Sequence, residues 1–146
     1  VINSMENKER RPKTEVQGLN ENHLRVISGT LRLIEKDMDE MERYLRNAPQ
    51  GRMYETRDDL TESQKEKVLK IIKTVKECIN EFANMLHFEP NQESLSGIIR
   101  GTLSIHWVNA CDIEPKKLKA YGMVDPDNIE RLSFYTQKIM DLLHGF

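Results

Sequence analysis

Apolar residues recur in the first third of the chain at alternating steps of three and four: Leu24, Ile27, Leu31, Ile34, Met38, Met41 and Leu45. That spacing lines one side of a helix and makes a seam meant to pack against other helices. Asn20 or Asn22 supplies the opening cap, and Pro49 and Gly51 stop the helix near Asn47. The polar stretch that follows, residues 47–60, reads as a loop.

Thr61-Glu62-Ser63-Gln64 has the spacing of a capping box and opens a second helix. Its apolar positions (Val68, Ile71, Ile72, Val75, Cys78, Ile79, Phe82, Met85, Leu86) form a stripe wider than that of the first helix, so it should touch two neighbours. A third helix from about Gln92 to Asn109 is the least polar segment, with Leu95, Ile98, Ile99, Leu103, Ile105, Trp107 and Val108 on several faces, and is expected to be the most buried. Glu114-Pro115 starts a short basic helix over residues 116–121, closed by Gly122, and Asp125-Pro126 starts a last helix with a stripe of Ile129, Leu132, Tyr135, Ile139 and either Leu142 or Leu143.

The pattern predicts an all-α protein, an antiparallel up-down four-helix bundle with a short extra helix between the third and fourth helices. It divides into a flexible N-terminal tail at residues 1–22, rich in charge and poor in apolar residues, and a helical bundle domain at residues 23–146. Charge supports an antiparallel pairing of the first two helices. The end of the first is acidic and the start of the second is basic, a register that sets Asp39 near Lys70 and Glu42 near Lys67. Gly97 and Gly101, four apart on the third helix, each weaken it by about 1 kcal/mol relative to Ala. A close crossing with another helix is the expected compensation.

With 22 basic and 24 acidic residues the 146-residue chain has a formal charge of −2, so no global field attracts nucleic acid or an anionic membrane. Nucleic acid is not an expected partner. No apolar run has the length of a membrane span, and the N-terminus is polar and charged, unlike a secretory signal. Two cysteines, Cys78 and Cys111, are too few for a disulfide framework and suit a reducing compartment, so a cytoplasmic location is expected.

Candidate chemistry is sparse. The histidines are His23, His87, His106 and His144; none has a Glu three residues before it, as a di-iron bundle would need, and no metal or other cofactor is expected. Lys116, Lys117, Lys119 and Tyr121 read as a short solvated helix. Arg100 precedes His106 by six residues on the third helix. That pair is similar to the Arg-x4-6-His signature of the HEPN family, all-α domains of about this size, many of which resemble metal-independent ribonucleases. The resemblance implies His106 as general acid or base in 2′-hydroxyl chemistry and Arg100 as the phosphate holder.

A different alternative is a bundle enclosing a small apolar ligand near Trp107, Met85 and Met140. The leading expectation is a non-enzymatic protein–protein interaction or assembly module, because apolar seams are explicit and convergent polar groups are not. Its assembly is expected to be a homodimer through the first and second helices, since their seams extend beyond what the shorter helices can cover.

Overall fold

The computed structural model describes residues 18–146, all-α with no named strand among them. The four principal helices are α1 (Glu21–Arg46), α2 (Glu62–Met85), α3 (Leu95–Cys111) and α5 (Pro126–Leu143). The short α4 (Pro115–Leu118) lies between the third and fourth of these and runs into a 3-10 turn at Lys119–Tyr121. This is the predicted element order. Most of the residues expected to form the N-terminal tail, 1–17, lie outside the described residues, and α1 begins inside its last stretch.

The chain divides into two compact units. One runs to Pro90 and holds α1 and α2; the other spans Asn91–Phe146 and holds α3, α4 and α5.

In the first unit both helices open on reciprocal caps. The Asn20 side chain accepts from the His23 backbone N–H at 2.9 Å, and His23 Nδ1 accepts from the Asn20 N–H at 3.2 Å. Thr61 and Gln64 exchange the same pair of bonds at 3.1 and 2.9 Å. The α1 seam is half-buried along Leu24, Ile27, Leu31, Met38, Met41 and Leu45, facing buried Ile72 and half-buried Val68, Val75 and Ile79 on α2.

The pairing is antiparallel. The late α1 residues Tyr44 and Leu45 line one cavity with the early α2 residues Lys65 and Val68, while the earlier Asp39 and Glu42 bind the later Lys76. Lys76 therefore takes both partners that the charge pattern assigned to Lys70 and Lys67. Position around the helix explains this. At 100° per residue Lys76 is about 40° from Ile72 and borders the packed face, whereas Lys70 and Lys67 are about 160° and 140° away on the back of α2.

The connecting loop, residues 47–60, folds on itself. Gly51 N–H donates to Tyr54 O at 2.8 Å and Thr56 N–H to Pro49 O at 3.1 Å, closing a tight turn with an isolated bridge between Gln50 and Glu55. A Cβ on Gly51 would fall 2.7 Å from Tyr54 Cε1, so only glycine lets the ring lie across the turn. Asp58 then accepts from the Leu60 N–H and pairs with Lys65, fixing the loop to the first turn of α2.

The C-terminus of α2 is a Schellman turn: Phe88 N–H reaches back to Ala83 O at 2.9 Å, and His87 takes the left-handed position, φ 57°. A residue with a Cβ is disfavoured there relative to glycine.

In the second unit α3 and α5 pack as a second hairpin, with Ala110, Thr136 and Met140 buried and Pro115 of α4 buried against the same unit. Trp107 packs against His144 at the end of α5, ring centroids 5.1 Å apart and planes tilted by 59°, and Arg100 reaches Phe146 just past that end.

Two outcomes follow. His87→Gly should stabilise the chain by about 1 kcal/mol in urea unfolding, because it relieves the left-handed backbone strain. Hydrogen bonds and charge from Lys76 hold the Glu42 carboxyl below its usual range, and Asp39 and Glu42 raise Lys76. The Glu42 contribution is present above the ordinary carboxylate range and is lost as pH falls through its depressed pKa. Thermal unfolding should therefore show an acid-side loss of stability that Lys76→Met reduces.

Candidate interaction surface

A hairpin covers one side of each of its helices, and two of these helices are apolar on more than one side. On α2 the covered face is centred near Ile72. About 100° round from it runs a second stripe of Ile71, Cys78, Phe82 and Met85, all exposed, with Lys67 at its N-terminal end. These residues step by seven, four and three, the spacing of one helix side.

On α3 the packed side is Leu103, Trp107 and Ala110. The opposite side carries Gly97, Ile98, Gly101, Ile105 and Val108, with Ile98, Ile105 and Val108 half or more exposed. No charged residue interrupts that side. The expectation that α3 would be the most buried helix is not met within its own unit, where Ala110 is its one buried residue.

The two glycines do not mark a close crossing in this unit either. A Cβ at Gly101 would meet nothing within 4 Å, and one at Gly97 would meet only Ser94 of its own cap. The physical reason is their position: they lie on the side of α3 turned away from Leu103 and Ala110.

The residues singled out for chemistry are held by separate local partners. Arg100 places its guanidinium 5.1 Å from the centre of the Phe146 ring, a cation–π contact. His106 is exposed, with Nδ1 3.5 Å from the Asn109 amide nitrogen. Six residues along a helix leave the two about 120° apart around the axis and about 9 Å apart along it. Of the proposed ligand-lining residues, Met85 is on the exposed α2 stripe of the first unit, whereas half-buried Trp107 and buried Met140 are in the second.

Each unit carries a concavity. In the first unit a cavity of about 310 Å³ lies where the loop meets the helices, walled by Met41, Leu45, Pro49, Leu60 and Val68, with Lys65 at its edge. In the second a depression of about 800 Å³ runs along α5 beside Glu114 and Pro115, past Phe134, Gln137 and Asp141. Among the described residues no group of three His, Cys, Asp or Glu side chains is placed to hold a metal ion. No helix there is long and apolar enough to cross a membrane.

The chain matches no known family model, no curated protein and no solved structure. The reading of this surface therefore rests on its own geometry. Sequence reasoning found the extra width of the α2 stripe from its apolar count. It missed that the free side of α3 is also free of charge, a signal present in the run from Gly97 to Val108, where Arg100 is the only charge and sits on the packed side.

Gly101→Ala reports on the α3 face. With open space at Gly101 the alanine should raise stability by about 1 kcal/mol in chemical unfolding. A loss of stability would mean that another helix packs there.

Proposed function

We propose that this protein is a non-enzymatic protein–protein interaction or assembly module, working as a homodimer built on α1 and α2 and residing in the cytoplasm. The observation that carries this reading is the uncovered stripe of α2: four apolar or thiol side chains in helical register, on a helix already packed against α1 with its other side. Leaving such a stripe in water forgoes roughly 25 cal/mol for every Å² of apolar surface, which association recovers. Uncovered apolar helix sides of this kind mark interaction sites more often than isolated exposed residues do.

The cytoplasmic assignment is supported by the thiols. Cys78 is exposed and neither cysteine is paired, a state that a reducing compartment maintains. An interaction role also agrees with the arrangement of polar groups: Arg100 and His106 are turned to different sides of α3 and engage Phe146 and Asn109. A catalytic pair would converge on one reacting position.

Sedimentation velocity at micromolar concentration, paired with native mass spectrometry, tests the reading. The expected result is a ligand-free species of twice the chain mass. A monomer throughout that range, or a monomer retaining a small molecule, would overturn it.

A further inference from the structure

The charges along the uncovered stripe of α2 are segregated by sign, and this constrains what can cover it. Lys67 lies on the stripe near its N-terminal end and Lys70 on its edge; Glu81 lies on the same edge as Lys70, toward the C-terminal end. Measured from the stripe centre, Lys70 and Glu81 are about 80° and 60° round on one side, the positions that flank a helix–helix contact. Glu77, about 100° away, stays outside it. Lys67, Lys70 and Glu81 make no ion pair among the described residues, so their charges are available to a partner.

We infer that a second copy of this chain docks on the stripe, α2 against α2 in antiparallel sense, with the two-fold axis passing between Thr74 and Cys78. The inference rests on the homodimer reading above and specifies its contact. A two-fold axis lying in the contact plane brings the same edge of both helices together in opposite directions. Lys70 of one copy then lies within one residue of the level of Glu81 of the other, and the reverse pair forms by symmetry.

The apolar positions mesh in the same register. Ile71 enters between Cys78 and Phe82 of the other copy, Thr74 faces Cys78, and the stem of Lys67 lies along Met85. Ile71, Phe82 and Met85 are 49%, 37% and 58% exposed, so each has surface left to bury. In a parallel pair the two-fold axis would run along the helices and put the Lys70–Glu81 edges of the two copies on opposite sides of the contact, so neither charge would meet its opposite. The free side of α3, which has no charge, offers nothing to pair with these groups, whereas an antiparallel copy of α2 supplies an opposite charge at both ends.

The test uses the full chain in a Cys111→Ser background, so that Cys78 is the sole thiol. The two Cys78 residues fall about 6 Å apart along the axis on facing helices, within reach of a short bis-maleimide. The expected result is a covalent dimer formed at protein concentrations where sedimentation finds the dimer.

Ile71→Glu should raise the dissociation constant a hundredfold or more, with circular dichroism confirming that the helices remain. Should that variant fail to fold, the charge exchange stands in for it. Lys70→Glu alone should weaken the dimer by about tenfold, and Lys70→Glu with Glu81→Lys should restore it.

A dimer that neither cross-links through Cys78 nor responds to these substitutions overturns the α2 contact while leaving the homodimer reading in place. A monomer overturns both. If the monomer's Cys78 also resists a monofunctional maleimide, the stripe is covered by the chain's own remaining segments.

Discussion

Each helix of a two-helix hairpin can hide one side from water against its partner, and everything distinctive about this molecule follows from that limit. The α1–α2 hairpin half-buries the seam of α1, and Lys76 fixes its register by bridging Asp39 and Glu42. The partner helix has apolar width left over. In the other hairpin α3 is in the same position, packed through Leu103, Trp107 and Ala110 and bare through Ile98, Ile105 and Val108. In both units the buried residues are few, so neither hairpin draws its stability from a deep core of its own.

The parts of the structure that local chemistry decides could be read from residues alone. Thr61 and Gln64 at their capping spacing, Pro115 and Pro126 at first turns, and Gly122 after the last helical residue of the short segment all mark boundaries because backbone N–H groups and dihedral angles impose the same demands in any context. The heptad-like steps of α1 identified its packed side for the same reason.

Register and pairing were less accessible. A count of facing positions put Lys70 and Lys67 opposite the α1 carboxylates, but an ion pair depends on which way around the helix a residue points. Of the basic residues of α2, Lys76 borders the seam. The glycine pair misled for a related reason. Glycine spacing reports that a backbone can be approached closely, and says nothing about whether the approach is made within the same unit. The uncovered faces were legible only in part, since the one on α2 could be inferred from apolar width while the separate one on α3 required knowing which side of α3 packs.

The loop between α1 and α2 is held by contacts of short range: the Tyr54 ring over Gly51, the return bond from Thr56 to Pro49, and the Asp58–Lys65 pair. The turn is closed on itself and the ion pair ties it to the first turn of α2, so the connection and the start of α2 form one locally bonded piece.

The opening of α1 carries a further consequence. Most reciprocal caps use an amide or carboxylate as the returning acceptor, but here the role falls to the imidazole of His23, whose Nδ1 lone pair receives the Asn20 N–H. An imidazole that accepts through Nδ1 carries its proton on Nε2, so the cap sets the tautomer of the ring as well as its orientation. The side chain that closes the first turn of α1 is thereby itself held in place by the backbone it caps.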